Sequence, residues 1–202
     1  MSAPRDESKE PEAAPAAFTI EQVDVEVVRP LRHKHLRPDQ PEDAVCYQSD
    51  GEETCCHFAA KDLDGNVIAS GSLNQEDRVA GQPPFGHPGM RIRGIAVEDE
   101  WRGKGVGAGM VAYLLEYGRT NDLAEAWGNA RTENLRFYAK NGFTEVSGPF
   151  EIPTIGEHVV VALSLQPKGR KARKALKAKD QDESAGDEST GDGGAAAESA
   201  DA

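Results

Sequence analysis

The chain has 202 residues, of which 38% are hydrophobic and 6% aromatic, and its formal net charge at pH 7 is −12. The low hydrophobic share excludes one core spread evenly along the chain and predicts a folded domain with polar tails. The acidic balance argues against non-specific nucleic-acid binding, and no apolar stretch approaches the roughly 20 residues that span a membrane. Three cysteines and no recognisable secretory signal predict a cytoplasmic protein without a disulfide scaffold.

Both ends of the chain are predicted to be disordered. Residues 1–17 are rich in Ala, Pro, Glu and Ser and have no apolar periodicity. Residues 166–202 form a basic half followed by an acidic half, with too few apolar side chains to offset the entropy of ordering. The basic half either docks on RNA or an acidic partner or is neutralised by the acidic half. Residues 18–165 remain as one domain of common size.

The first half of this domain is predicted to contain four strands and one helix. In chain order they are a strand over 18–23, a helix over 25–36, strands over 54–61 and 67–73, and a strand over 90–97. Pro38 ends the helix, because a residue before proline avoids the helical conformation. The sequence DLDGN between the second and third strands predicts a hairpin turn, and the changed alternation at Arg93-Gly94 predicts a β-bulge.

The second half is predicted to alternate between helices and strands. An apolar stripe starting at Val106 predicts a helix that closes near Gly118, and a strand over 123–130 follows. Thr132 is the predicted N-cap of a short helix that stops at Asn141-Gly142, before closing strands over 143–146 and 157–165. This order of elements predicts a mixed sheet with helices on its faces.

A glycine-rich segment, Arg102-Gly103-Lys104-Gly105-Val106-Gly107, joins a strand to a helix. Glycines at alternate positions let successive amides converge on an anion, and the start of the helix adds its positive dipole end. The segment therefore predicts a phosphate-binding loop, with a flexible connector as the alternative. It is neither a Walker A loop nor the dinucleotide fingerprint, because both characteristic spacings are missing.

This segment resembles the R/Q-x-x-G-x-G/A motif of the GNAT superfamily of N-acetyltransferases, and IAVEDEWRG before it resembles that family's fourth strand. ARTENLRFYAKNGF, from Ala130 to Phe143, is similar to the family's second signature. Two motifs in this order are more specific than either alone. The resemblance implies an uncharacterised subfamily with a GNAT-like α/β (α+β) fold, in which a mixed, mostly antiparallel sheet of six to seven strands carries helices on both faces.

The resemblance also implies a site for acetyl-CoA as co-substrate. In the family, main-chain groups of the fourth strand pair with the pantetheine arm, loop amides hold the diphosphate, and a gap between the fourth and fifth strands admits the thioester. The cofactor-binding positions that match in this sequence are Ile95, Ala96, Val97, Arg102, Gly103, Lys104, Gly105, Val106, Gly107, Ala108, Asn134 and Tyr138.

The implied catalytic groups are Tyr138 and the amide of Val97. Tyr138 matches the family's tyrosine that protonates the departing thiolate, and a hydroxyl with a pKa of about 10 suits that transfer. A buried core ring is the alternative for Tyr138, and it is compatible with a polar tip in the site. The Val97 amide is a candidate for stabilising the oxyanion. The general base stays open among Glu98, His57 and His158 near strand ends, His33 and His35 on the first helix, and a chain of water molecules.

The family builds its acceptor pocket from the first helix, the loop after it and the last two strands. Here the predicted acceptor-binding residues are Arg32, His33 and Arg37 on the basic helix face, and Arg131 beside the second motif. The alternative is that this basic face is only solvated. No metal is expected at Cys55-Cys56-His57, because adjacent side chains on a strand point to opposite faces.

The sequence therefore predicts an N-acetyltransferase that transfers an acetyl group from acetyl-CoA to a primary amine of a small molecule or peptide, by direct attack in a ternary complex. A catalytically weak acyl-CoA sensor whose tail recruits a partner is the alternative. A third interpretation is a nucleotide-phosphate binder. The predicted enzyme has no membrane partner, its core does not bind nucleic acid, and it is a monomer or homodimer.

Overall fold

The computed structural model describes residues 17–79, 81–82 and 87–165. Both predicted disordered tails, apart from residue 17, lie outside the described residues. The strands are β1 (Thr19–Val23), β2 (Cys55–Lys61), β3 (Val67–Gln75), β4 (Gly89–Val97), β5 (Glu125–Arg131), β6 (Thr144–Glu145), β7 (Phe150–Ile152) and β8 (Gly156–Ser164). The helices are α1 (Val25–Leu36), α2 (Val106–Thr120) and α3 (Leu135–Lys140). Among the described residues, no helix is both long and apolar enough to cross a membrane.

All the strands belong to one sheet in the order β1-β2-β3-β4-β5-β8-β6, and β7 pairs separately with β8. Every pairing is antiparallel except that of β4 with β5, so the predicted mixed, mostly antiparallel fold is confirmed. Over the described ranges the sheet has eight strands rather than six or seven. The additional strand is β7, whose three residues are too few to produce a recognisable alternation in the sequence.

Helices α1 and α2 cover opposite faces of the sheet. His57 and Phe58 are neighbours on β2, so their side chains point to opposite faces. Arg32 of α1 contacts His57, whereas Tyr113 and Tyr117 of α2 pack edge-on against Phe58 with ring centroids 5.4 Å away. The predicted apolar stripe of α2 is buried against the second face, and its residues are Val106, Met110, Val111, Leu114 and Leu115.

The short helix α3 begins later than the sequence predicts. Thr132 does not cap it. Arg131 leaves β5 in an extended conformation, and residues Thr132–Asn134 form a 3-10 turn before the α-helix begins at Leu135. Its end is as predicted, because Asn141 is the C-cap and Gly142 has a φ of 88°.

The predicted bulge in β4 is confirmed. Ser70 of β3 pairs with Ala96, but Ser72 pairs with Arg93, so β4 contains one residue more than β3 across this interval. Gly94 has a φ of +65°, and a Cβ there would lie 2.8 Å from Nε of Arg32. This position therefore needs glycine both for its backbone conformation and for space.

Arg32 is completely buried and ties α1 to the sheet and to the loop before β2. Its Nη1 donates to both carboxylate oxygens of Asp50 at 3.0 and 2.9 Å, and its Nη2 donates to Oγ of Ser72 at 2.6 Å. Nη2 also lies 3.1 Å from Nδ1 of His57. Burial, with a smaller effect of the Arg32 charge, lowers the pKa of His57 and favours the neutral ring that accepts this bond. We call Arg32, Asp50, His57 and Ser72 the Arg32 cluster.

Candidate active site

The sheet opens between β4 and β5. The two strands pair only where Gly89–Arg91 meets Glu125–Trp127, although β4 continues to Val97 and β5 to Arg131. A cleft of about 980 Å³ lies where they diverge. The bulge bends β4 at this point. Thus the predicted gap between the fourth and fifth strands is present, and it lies beside the bulge of β4.

The strand register directs the main chain of Val97 into this gap. The Glu98 amide donates to the Ile68 carbonyl at 2.9 Å, and Val97 lies opposite Ala69. Opposed residues in an antiparallel pair alternate between bonded and non-bonded pairs, so the N–H and C=O of Val97 point away from β3. The same alternation corrects the expectation for Ala96: it lines the cleft, but its main-chain groups pair with Ser70.

The amides at the start of α2 have no hydrogen-bond partner in the described ranges. Gly105 is the N-cap, with a φ of 84°, and it has no side chain to accept from the first turn. The Gly109 amide donates to the Gly105 carbonyl at 2.8 Å, so the amides of Val106, Gly107 and Ala108 precede the first bond of the helix. Several residues of this segment line the same cleft as β4, namely Arg102, Gly103, Gly105, Gly107 and Ala108. The arrangement suits an anion at the dipole end of α2.

The two cations of the loop differ in how they are held. Arg102 is fixed by its Nε bond to the Val97 carbonyl at 3.2 Å and by an ion pair with Asp99 at 2.9 Å. The Lys104 ammonium lies 5.3 Å from the centroid of the Trp101 ring, and Lys104 does not line the cleft. Lys104 is exposed, so its long side chain is free to turn toward an anion at the loop.

Tyr138 reaches the cleft from α3. Its ring makes edge-on contacts with Phe137 and Phe143, at centroid distances of 5.3 and 5.6 Å. Burial raises the pKa of Tyr138 to about 12, so the hydroxyl stays protonated at neutral pH. Asn134, just before α3, also lines the cleft. Tyr138 is therefore a packed aromatic ring that lines the cleft and whose hydroxyl is protonated at neutral pH.

The predicted acceptor residues are only partly brought together. Arg37 and Arg131 line the cleft, but Arg32 and His33 do not. The prediction that Arg32 binds the acceptor is wrong, because Arg32 is buried and forms an ion pair with Asp50. His33 is turned toward the loop after α1, with Nε2 2.7 Å from the Gln40 carbonyl.

The three candidate bases near strand ends are in different surroundings. His57 belongs to the Arg32 cluster. Glu98 does not line the cleft, and its hydrogen bond from Lys34 lowers its pKa, which weakens it as a base. His158 lines the cleft, and its Nδ1 donates to the Gly156 carbonyl at 2.7 Å. That bond leaves the lone pair on Nε2, so the neutral ring can accept a proton there.

Sequence reasoning missed Tyr47, Arg91 and Arg93, which also line the cleft. The alternation that places Met90 and Ile92 on one face of β4 places Arg91 and Arg93 on the other. This signal was available in the sequence. Tyr47 carried no such signal, because it lies in an irregular polar loop.

Three potential metal ligands, Asp50, Cys55 and His57, have ligand atoms within 4.8 Å of one another. Their surroundings do not favour a cation, because the Arg32 guanidinium already occupies the Asp50 carboxylate. Burial also raises the pKa of the Cys55 thiol to about 11, which keeps it protonated. Cys56 lies on the other face, with Sγ 3.3 Å from the Tyr117 hydroxyl.

A gap between two diverging parallel strands, next to unused amides at a helix start, defines the class of acyl-CoA-dependent acyltransferases. The chain belongs to the acetyltransferase (GNAT) family, whose model matches residues 20–143. It is therefore an acetyltransferase enzyme, for which the family implies an acyl-CoA donor and an amine acceptor.

Relatives and solved structures agree with this assignment. The chain is 28% identical over 148 residues to the uncharacterized N-acetyltransferase YitI of Bacillus subtilis, covering 73% of this chain and 96% of that protein. The N-acyl amino acid synthase FeeM from uncultured soil microbes has a TM-score of 0.61 at 12% identity, with 74% of this chain and 90% of that chain covered. The ribosomal-protein-S18-alanine N-acetyltransferase of Escherichia coli has a TM-score of 0.58 at 16% identity, with coverages of 76% and 97%. These two structures share the fold.

Proposed function

We propose that the protein transfers an acetyl group from acetyl-CoA to a primary amine of a small molecule or peptide, by direct attack in a ternary complex. One observation carries this proposal: the amides at the start of α2 and the amide of Val97, which have no hydrogen-bond partner among the described residues, open on the same cleft. A diphosphate at one end and a thioester at the other match those two features. Two solved structures that share this fold, a spermidine N-acetyltransferase chimera and the ribosomal-protein-S18-alanine N-acetyltransferase, are also named for amine acceptors.

The donor has a site along the loop and β4. The amides of Val106, Gly107 and Ala108 hold the diphosphate, with Gly103 and Gly105 giving the loop its left-handed turns. Arg102 and Lys104 balance its charge. Ile95 and Val97 then border the pantetheine arm, and Asn134 and Tyr138 face it from the α3 side.

Transfer needs an oxyanion stabiliser, a proton donor and a proton acceptor. The Val97 amide points into the gap and stabilises the negative oxygen of the attacked carbonyl. The Tyr138 hydroxyl protonates the leaving thiolate. His158 takes a proton from the amine at its Nε2, because an amine with a pKa near 10.4 must lose a proton to attack. Holding both reactants together supplies much of the acceleration.

A catalytically weak acyl-CoA sensor is less well supported. A sensor requires the donor site but no proton-transfer groups. The cleft combines Tyr138, which stays protonated, with His158, which has an available lone pair. The presence of both groups favours catalysis over donor binding alone.

An amine panel with free-thiol detection tests the proposal. We expect thiol release from acetyl-CoA to rise severalfold above the amine-free rate with at least one class of primary amine. The exposed Arg119 lies at the end of α2, so Arg119→Gln is the matched control and should keep the wild-type rate. Tight binding of acetyl-CoA with no amine-dependent release across the panel would favour the sensor instead.

A further inference from the structure

The cleft is basic although the whole chain carries a net charge of −12. Among the described residues that line it, Glu133 is the one acidic residue. Its basic residues are Arg37, Arg91, Arg93, Arg102, Arg131 and Lys140. Only Arg102 belongs to the donor loop. The other basic residues lie outside that loop, so binding of the diphosphate does not account for their position in the cleft.

Arg91 and Arg93 share one carboxylate. Glu76 accepts from Arg91 at 3.0 Å and lies 3.5 Å from Arg93, so two guanidinium groups face one anion. Their side chains are only 25% and 19% exposed. Burial and the Arg91 charge lower the pKa of Arg93, as expected for a cation that lacks a full counter-charge. Glu76 is the one carboxylate that pairs with these two guanidinium groups within the part of the chain that the structure describes, so the pair there keeps a net positive charge at the cleft wall.

Both guanidinium groups are held in place by aromatic rings. Arg93 lies 5.1 Å from the centroid of Tyr47 and donates to Oγ of Ser49 at 3.2 Å. Arg91 lies 4.7 Å from the Trp127 ring. A fixed planar guanidinium loses little entropy when it binds a carboxylate through two parallel bonds. The pair is therefore preorganised for an anion.

The pair is separate from the donor loop. On β3 the partners of Arg91 and Arg93 lie five and three residues from Ala69, the partner of Val97, which corresponds to about 17 and 10 Å along the strand. The donor loop follows Val97. Arg93 also lies opposite Ser72, whose hydroxyl contacts α1, whereas the loop leads into α2 on the other face. Since the cleft reaches both, an anion at the pair and a diphosphate at the loop can bind together.

We infer that the acceptor is an amine that carries a carboxylate, and that Arg91 and Arg93 bind this carboxylate while the amine faces the gap. The inference rests on the proposed function, which it extends to a class of acceptor. A polyamine is disfavoured, because its additional positive charges would meet the arginines.

A matched set of acceptors tests the inference. With wild-type enzyme, 4-aminobutanoate and 6-aminohexanoate should give kcat/KM at least about 10-fold above butylamine, which lacks the carboxylate, and spermidine should be poorer still. Equal kcat/KM for butylamine, or a preference for spermidine, overturns the inference. A preference for phosphoethanolamine over both amino acids overturns the carboxylate assignment.

Variants of Arg91 and Arg93 test whether this pair causes the preference for an acceptor with a carboxylate. Arg93→Gln should reduce the kcat/KM ratio of 4-aminobutanoate to butylamine by about 10- to 100-fold, through KM. Arg93→Glu should shift preference toward spermidine. Arg91→Gln is a second test that leaves the Arg93 contacts with Tyr47 and Ser49 in place, and Arg119→Gln is the control with an unchanged ratio. An unchanged ratio in both Arg91→Gln and a folded Arg93→Gln contradicts the inference.

Calorimetry separates this inference from the proposed function. If no amine releases thiol, the transferase proposal fails. Titration of the CoA-loaded protein with 4-aminobutanoate then tests whether Arg91 and Arg93 form an anion site. Binding that is lost in Arg93→Gln and kept in Arg119→Gln supports the site, and no binding to the wild type overturns it.

Discussion

Replacing Asp50 with asparagine should lower the free energy of unfolding by about 3 to 5 kcal/mol, because it leaves the Arg32 guanidinium buried without its anion. The Arg32 side chain is 0% exposed and that of Asp50 is 5% exposed. The asparagine amide has nearly the same shape as the aspartate carboxylate, so the loss of stability measures the effect of the charge rather than of packing. Denaturant unfolding of both proteins measures it.

A surface pair on the same helix provides the control. Glu26 pairs with Arg29 at 3.3 Å, but Glu26 is 70% exposed, so Glu26→Gln should change the free energy of unfolding by at most about 1 kcal/mol. Adding Arg32→Met to Asp50→Asn should recover part of the loss, because the unpaired charge disappears. A loss below about 1 kcal/mol for Asp50→Asn would mean that water or other groups neutralise Arg32.

The cluster also connects stability to the cleft. Arg32 lies 4.5 Å from the centroid of the Tyr47 ring, and Arg93 lies near the same ring. The Tyr47 amide donates to the Asp50 carboxylate at 3.0 Å. The loop before β2 is thus held by a buried charge pair, and it carries one wall of the cleft. We propose this as the structural reason for burying an arginine in a helix that otherwise has a basic surface.

Tyr138→Phe should lower kcat by about 10²- to 10⁴-fold and leave the affinity for acetyl-CoA nearly unchanged. The substitution removes only the hydroxyl, and the ring contacts with Phe137 and Phe143 remain. Steady-state kinetics and calorimetry together give the two quantities. Equal turnover would remove Tyr138 from the mechanism.

The pH dependence distinguishes proton donation from packing. Because the pKa of Tyr138 is raised to about 12, the hydroxyl keeps its proton throughout pH 7 to 9, and the loss in the variant should be constant over that range. The raised pKa also stabilises the fold below pH 10, and this contribution disappears as the pH rises from about 10 to about 12. Tyr113→Phe is the control, since Tyr113 packs on Phe58 outside the cleft.

Local patterns made much of the fold predictable. The apolar stripe from Val106, the proline after Arg37 and the glycine at the bulge each act within a few residues, and the structure follows them. The place of the glycine-rich loop directly before α2 was predictable for the same reason, since its glycine spacing is continuous in sequence.

The part of the cleft beside α1 and the first half of β4 depends on contacts that are distant in sequence. Arg32 was interpreted as a surface residue because its helix is basic. In the structure it is buried, because it pairs with Asp50, which lies 18 residues further on. The role of Arg91 and Arg93 depends on their contacts with Glu76 and Tyr47 and on the opening of the sheet beside β5. No local sequence pattern predicts which face of β4 borders a cleft.

Calorimetric titration with acetyl-CoA, ATP and NAD⁺ tests the central claim most directly, because all three carry phosphates but only one carries a thioester arm. We expect acetyl-CoA to bind at least about 10-fold more tightly than either nucleotide, since the arm extends from the loop amides along β4 into the gap. Equal or tighter binding of ATP or NAD⁺ would contradict the account and leave the loop as a general phosphate site.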